Sequence, residues 1–258
     1  MNITALLENT ARRPDMLTEH GLSLYIETEK HKILFDMGQT DAFVKNAETL
    51  GIDLSAVDIA VLSHGHYDHG GGLKKFLEIN RLAPIYMRRN AFSAFYNGSG
   101  KYIGLDSRLL EHPRIVFTDN GTDVFSIDED LTLYSCNGRV QASRSGTFGL
   151  TERIGDILLP DRFLHEHYLQ IENRVLISGC SHKGIADIMD WLKPDVLVGG
   201  FHLSKMPLGD ELSGVATELN AHKTVYFTCH CTGEAQYEYM KKYITDLRYL
   251  ACGETAEI

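Results

Sequence analysis

Ser63-His64-Gly65-His66-Tyr67-Asp68-His69-Gly70-Gly71-Gly72 follows directly on the apolar run Asp58-Ile59-Ala60-Val61-Leu62. The residues 58–63 read as a short buried strand, 64–69 as the loop at its end, and a helix begins near Gly71. Three histidines and one aspartate thus fall within six residues. His64 and His66, two apart on extended backbone, point to the same side. Asp68 and His69 project from the turn into the helix start, so the four side chains form two pairs. Imidazole and carboxylate are ligands that zinc, iron and manganese accept, and two pairs point to two neighbouring metals. The glycines allow a sharp turn and a close backbone approach to a ligand.

Around this stretch, short β-branched runs alternate with amphipathic ones. Residues 22–27 and 32–35 read as a strand meander turning at Glu29-Lys30-His31. Residues 40–50 read as a helix capped by Thr40, with Phe43, Val44, Ala47 and Leu50 at helical spacing and Gly51 at its end. Further strands are expected at 115–117, 131–135, 168–172, 174–178, 195–198 and 224–228, and helices at 185–192 and 234–245. Adjacent strands mixed with strand–helix units predict an α/β fold of two packed sheets with helices outside. No repeat or Pro/Ser-rich linker divides the sequence, so residues 1–258 read as one domain.

The chain has 258 residues, 43% of them hydrophobic, and a net charge of −10. This composition suits a globular core and excludes a disordered chain. The acidic balance argues against a protein built to coat nucleic acid or an anionic membrane. The five cysteines show no disulfide framework and suggest a reducing compartment. Met1-Asn2-Ile3-Thr4 lacks the charged start of a signal peptide, and no apolar run approaches the ~18–20 residues of a membrane span. A soluble, cytoplasmic protein with a small-molecule substrate is the expectation.

His64-Gly65-His66-Tyr67-Asp68-His69 resembles the H-x-H-x-D-H signature of the metallo-β-lactamase superfamily. The resemblance implies a four-layer αβ/βα sandwich carrying two divalent metal ions at one sheet edge, zinc foremost, with iron or manganese as alternatives. It assigns His64 and His66 to the first metal and Asp68 and His69 to the second. Ile177-Ser178-Gly179-Cys180-Ser181-His182 stands where the superfamily has a strand ending in Ser-Gly-Asp. Cys180 takes the place of the bridging aspartate, a departure from the pattern, and His182 is a substitute ligand. His165, in preference to its neighbour His167, matches the third-motif histidine. His230, in Cys229-His230-Cys231-Thr232-Gly233, matches the final ligand, and His202, in Gly199-Gly200-Phe201-His202, stands for substrate or metal binding. Cys229 and Cys231 read as buried apolar residues on one strand face. Together GCSH, GGFH and CHCTG resemble the branch that includes an archaeal dihydropterin synthase, which joins a pterin to an aminobenzene ribose phosphate.

The resemblance implies a hydrolase that uses metal-activated water, with Asp68 orienting that water or taking its proton. A pterin-joining transferase and a non-catalytic metal-bound sensor are the alternatives. No P-loop and no G-x-S-x-G elbow is present. Residues 81–114 carry six basic residues against Asp106 and Glu111, interleaved with aromatics. This segment reads either as a substrate cap for a planar or phosphorylated anion, using Arg88, Arg89 and Tyr96, or as a solvated basic face over an aromatic mini-core.

Overall fold

The computed structural model describes residues 1–142 and 149–258. Its first strands are β1 (Asn2–Leu7), β2 (Ser23–Glu27), β3 (Lys32–Phe35), β4 (Ile59–Val61), β5 (Ile85–Met87), β6 (Ala94–Tyr96) and β7 (Ile115–Phe117). Next come β8 (Val124–Ser126) and β9 (Leu131–Tyr134), then the hairpin β10 (Thr151–Ile154) and β11 (Ile157–Pro160). The chain continues through β12 (Tyr168–Ile171), β13 (Val175–Ser178), β14 (Val196–Gly199), β15 (Val225–Thr228), β16 (Leu247–Tyr249) and β17 (Thr255–Glu257). Helices are α1 (Ala42–Leu50), α2 (Tyr67–Gly70), α3 (Leu73–Ile79), α4 (Ile185–Leu192), α5 (Asp210–Ala221) and α6 (Glu234–Met240).

Two compact units result. The first takes Met1–Gly121, Gly149–Glu166 and Leu250–Ile258; the second takes the described part of Thr122–Phe148 and His167–Tyr249. In the first, the sheet order is β17-β1-β2-β3-β4-β5-β7. The expected meander is there as the antiparallel pair β2–β3, β1 joins antiparallel on its other side, and from β3 onward the neighbours run parallel. Parallel strands are buried on both faces, which is why β4, β5 and β3 after Lys32 read as short apolar runs rather than alternating. Leu34, Ala60, Leu62, Phe43, Leu73 and Phe76 fill the core that α1 and α3 cover. A second small core of Phe95, Ile103, Leu150 and Phe163 accompanies the three-stranded sheet β11-β10-β6.

In the second unit the order is β16-β15-β14-β13-β12-β9-β8, parallel from β13 to β16 and antiparallel beyond. Helices α4, α5 and α6 contribute Ile188, Leu212, Ala216, Leu219 and Met240 to its core. In each sheet the parallel strands end in loops rich in His, Cys, Ser and Asp. Open α/β sheets bind ligands at this carboxyl edge of the strands.

Local differences from the sequence reading have local causes. The helix after Ser63 is split into α2 and α3 at Gly71-Gly72, and a Cβ at Gly72 would lie 2.1 Å from the Met37 carbonyl oxygen. Helix α1 begins after Asp41, and Thr40 Oγ1 accepts the Ala42 N–H at 3.1 Å. Gly51 ends α1 in the left-handed conformation, as expected. Strand β15 stops at Thr228, so Cys229 and Cys231 do not share a strand face. The terminal strands β1 and β17 were not foreseen; they pair across the ends of the chain, where no local turn announces them. Among the described residues no helix is long and apolar enough to cross a membrane.

Glycine is required where β14 leaves its sheet. A Cβ at Gly199 would lie 1.9 Å from the Ser178 carbonyl oxygen, on backbone with φ +140°. Gly214, exposed within α5, has open space around it. Thermal unfolding is expected to show Gly199→Ala losing ~2 kcal/mol or more by overpacking. Gly214→Ala is expected to gain ~0.5–1 kcal/mol from helix propensity. Equal effects at the two positions would contradict the packing described.

Candidate metal centre

Asp36 follows β3 in left-handed backbone, φ 60°, with its side chain fully buried. Its Oδ1 accepts the Ser63 N–H at 2.7 Å, and Oδ2 accepts both Ser63 Oγ–H and His69 Nδ1–H, each at 2.7 Å. Ser63 Oγ also lies 2.8 Å from His64 Nδ1. The hydroxyl has one proton, already given to Asp36, so towards His64 it accepts and Nδ1 carries the hydrogen. Donor and acceptor accounting therefore puts the proton on Nδ1 of His64 and of His69, and the ring lone pair on Nε2. That is the tautomer a metal ligand needs, set by the hydrogen bond at the opposite nitrogen.

His66 is held from its other side. Its Nε2 lies 3.5 Å from Asp161 Oδ2, an ion-pair contact too long to fix which ring nitrogen carries the proton. His165 Nε2 lies 3.1 Å from the same oxygen, and His165 Nδ1 accepts the Gly65 N–H at 2.9 Å. His66, Asp161 and His165 stand close enough to bracket an ion. In this arrangement Nδ1 accepts the Gly65 N–H and Nε2 faces Asp161. His165, read from the sequence as a ligand, thus braces Gly65 and Asp161. Burial alone would raise the Asp161 pKa, but hydrogen bonds from His165 and His66 outweigh it and hold the carboxyl below its ordinary range. Burial lowers the His165 pKa, against the opposing pull of Asp161. Phe95 lies 4.1 Å, centroid to centroid, from the His165 ring and helps keep the brace dry.

Asp68, in α2, meets two imidazoles. Asn9 Oδ1 accepts the Gly21 N–H, so its amide Nδ2 donates to His20 Nδ1 at 3.3 Å. His20 Nε2–H then faces Asp68 Oδ2 at 3.3 Å. On the other side His69 Nε2 lies 3.9 Å from Asp68 Oδ2. With the His69 proton held at Nδ1 by Asp36, a lone pair there confronts a carboxylate oxygen. The His64 ring stands 4.1 Å from that of His69 and 4.7 Å from that of His66. Closely spaced buried imidazoles beside a carboxylate are donors of the kind a divalent cation takes.

The second unit carries its own cluster at the ends of β13, β14 and β15. Cys180 and His182 follow β13, His202 follows β14, and His230 opens the turn after β15. His182 and His202 rings are 4.2 Å apart. Ser181, His202 and His230 all adopt positive φ, at 61°, 53° and 49°. Non-glycine residues there cost about 1–3 kcal/mol each, and such strain gathers at functional sites.

The basic segment is largely spent within the first unit. Arg88 pairs with Asp119 at 3.0 Å, Arg89 stacks over Phe117 at 3.9 Å, and Arg153 lies over the Tyr96 ring at 4.6 Å. Arg108 pairs with Asp106, and Arg114 donates to Asn80 and to the Ala83 and Leu77 carbonyls. To bind substrate, Arg88, Arg89 and Tyr96 would have to share or leave these partners.

Sequence reasoning missed Asp36, Ser63, Asp161 and His20. Asp36 had a signal, a lone acid between a buried strand and Met37-Gly38. Asp161 and His20 had none, since each meets the motif only through the tertiary fold.

Comparison with known proteins points one way. The family model "Metallo-beta-lactamase superfamily" matches residues 18–135. An uncharacterized protein of Methanocaldococcus jannaschii is 29% identical over 240 residues, covering 90% of each chain. The 7,8-dihydropterin-6-methyl-4-(beta-D-ribofuranosyl)-aminobenzene-5'-phosphate synthase of the same organism is 26% identical over 268 residues, 92% of this chain and 89% of its own. The crystal structure of a metal-dependent hydrolase of the beta-lactamase superfamily superposes with a TM-score of 0.83 at 28% identity, over 100% of this chain and 99% of that one. A diphosphatase of the PhnP family shares the fold at 13% identity and a TM-score of 0.58, over 100% of this chain and 97% of its own. The resemblance read from the motifs and the α/β fold class are both borne out.

Removing the tautomer lock is expected to weaken metal binding. Asp36→Asn replaces one acceptor oxygen with a donor nitrogen facing Ser63 or His69. Calorimetric titration of zinc into chelated protein is expected to show a ~10–100-fold loss of affinity. Affinity equal to that of the wild type would contradict the role given to Asp36.

Proposed function

We propose that this chain, built on the metallo-β-lactamase superfamily fold with its H-x-H-x-D-H motif, is a metal-dependent hydrolase of small ester or phosphoester substrates. The carrying observation is the Asp36–Ser63 network, which presents His64 and His69 with lone pairs at Nε2. His64, His66, Asp68 and His69 would hold the divalent metal, two ions with zinc foremost. When bound, such a metal lowers the pKa of water to ~7 and stabilises charge developing on a carbonyl or phosphoryl oxygen.

The chain's own residues divide the remaining work. Asp68, at the edge of exposure, takes the proton of the attacking water, and His20 Nε2–H orients its carboxylate. Asp161 and His165 keep the His66 ring from rotating. The apolar wall of Phe95 and Phe163 limits water beside that brace. Likeness to a metal-dependent hydrolase at 28% identity over the whole chain supports this reading.

A second reading has its own support. The 26% identity to the dihydropterin synthase extends over 92% of this chain, so a transferase joining a pterin to an aromatic amine is the alternative. One panel separates the two: zinc-loaded protein with phosphoesters, phosphodiesters and lactones, and with a dihydropterin in the presence and absence of an aromatic amine. The hydrolase reading expects turnover that chelation abolishes and that Asp68→Ala lowers by ~10²–10⁴-fold. His20→Gln is expected to lower it roughly tenfold. Unchanged turnover in Asp68→Ala would sink the mechanism. Consumption of the pterin only alongside the amine would favour the transferase.

A further inference from the structure

The hairpin β10–β11 of the first unit ends in an open strand. Among the described residues, β11 is the outer strand of the sheet β11-β10-β6. It reads Ile157-Leu158-Leu159-Pro160, and every one of these residues is exposed. Ile157 is 63% exposed, Leu158 49% and Leu159 43%, and Ile154 across the turn is 45% exposed. Single apolar side chains on a surface are ordinary, but these are neighbours and form one patch. Their exposed area is roughly 350 Å², within the range of the largest apolar patch that a typical monomer carries.

Hydrogen-bond alternation shows which backbone groups β11 offers. The Asp161 N–H donates to the Leu150 carbonyl at 3.0 Å, so Leu150 and Asp161 form a hydrogen-bonded pair. Counting along the register, Thr151–Pro160 and Arg153–Leu158 are the pairs without mutual bonds. The N–H and C=O of Leu158 and the C=O of Pro160 therefore point away from β10, to the open edge. Soluble proteins blunt such an edge with charge, proline or a cover. Here Pro160 alone blunts it within β11, and it leaves the Leu158 groups clear. The rest of the hairpin is fixed: Gly155 takes φ 59° in the turn, β10 pairs with β6, and the Arg153 guanidinium lies over the Tyr96 ring.

Charge selects the occupant. Asp156 precedes β11 and Arg162 follows it, and both are exposed. By strand alternation Asp156, Leu158, Pro160 and Arg162 fall on one side. A second β11 laid antiparallel brings the Asp156 end of each copy to the Arg162 end of the other. A parallel strand would set acid beside acid and base beside base. With Leu158 opposite its own counterpart, the two residues exchange both N–H···O bonds. Ile157 of one copy then stands beside Leu159 of the other in a close side-chain pair, and Asp156 and Arg162 become diagonal neighbours within reach of a long side chain.

We propose that β11 is the contact through which two copies of this chain associate, edge to edge and antiparallel about Leu158, so that one sheet runs through both. The apolar patch supplies nearly half of the roughly 800 Å² per partner found in a standard interface. Asp156, Pro160, Arg162 and the edge backbone add to it, which fits a reversible dimer rather than an obligate one. The inference does not depend on the hydrolase reading, because it requires neither metal nor turnover.

Sedimentation velocity of the full chain from ~1 to ~200 μM tests it, since mass action makes such an association concentration-dependent. The wild type is expected to pass from monomer to dimer over that range. Leu158→Lys is expected to raise the dimer Kd at least about tenfold, because a charge on an edge strand opposes pairing. Should Leu158→Lys fail to fold, cross-linking decides. The native cysteines are all buried, so Ile157→Cys and Leu159→Cys each add one exposed thiol. Under mild oxidation the mixture of the two variants is expected to give at least about fivefold more covalent dimer than either alone, as the antiparallel register demands. A chain that stays monomeric across the range overturns the proposal, and altered turnover in a monomeric Leu158→Lys would make the patch a substrate flap instead. A dimer that Leu158→Lys leaves intact, or cross-linking no greater in the mixture, also overturns it.

Discussion

A buried carboxylate is affordable only when its oxygens are fully used, and Asp36 meets that condition with three donors drawn from two residues. It makes three of the site's geometric decisions at once. It anchors the turn after β4 through Ser63 N–H, fixes the His64 tautomer through the Ser63 hydroxyl, and fixes the His69 tautomer directly. For this to work Asp36 and Ser63 must be neighbours at the ends of adjacent strands. The parallel pairing of β3 with β4, Phe35 opposite Val61, puts them there. The change from antiparallel to parallel pairing at β3 is thus where fold becomes chemistry.

The second unit solves a similar problem without a central carboxylate. Its parallel strands β13, β14 and β15 also end in a polar edge, but serine and threonine hydroxyls bind the loops together. Hydroxyls both donate and accept, so they can bridge carbonyls and thiols without introducing a buried charge. The strain in three left-handed residues is stored there and balanced by these bonds and by the apolar core beneath. Cys180, in the loop after β13, adds a thiol to this edge, a softer donor than a carboxylate.

Much of this was legible in the sequence because the signals were local. Six residues from His64 to His69 display their ligand chemistry in one turn, and the apolar run before them declares a buried strand. The antiparallel meander and α1 were legible for the same reason, with turn residues and Gly51 marking their ends. What escaped was set by contacts distant in sequence. Asp161 meets His66 across 95 positions of chain, and β17 pairs with β1 across nearly the whole length. His165 illustrates a subtler limit. Motif order pointed to a ligand, while its hydrogen bond from the Gly65 N–H, contributed by the loop 100 residues earlier, had no local signal. Cys231 was read from strand alternation, and the strand ended three residues too soon for that reading to hold. The basic segment likewise showed its charge in sequence but not the Asp119, Phe117 and backbone carbonyls that use it.

The central claim is that buried hydrogen bonds set the protonation pattern of the motif histidines so that a metal finds lone pairs in place. Long-range ¹H–¹⁵N correlation spectra of the metal-free protein read that pattern ring by ring. The account predicts protons on Nδ1 of His64 and His69 and on Nε2 of His165. Protons on Nε2 of His64 and His69 would contradict it.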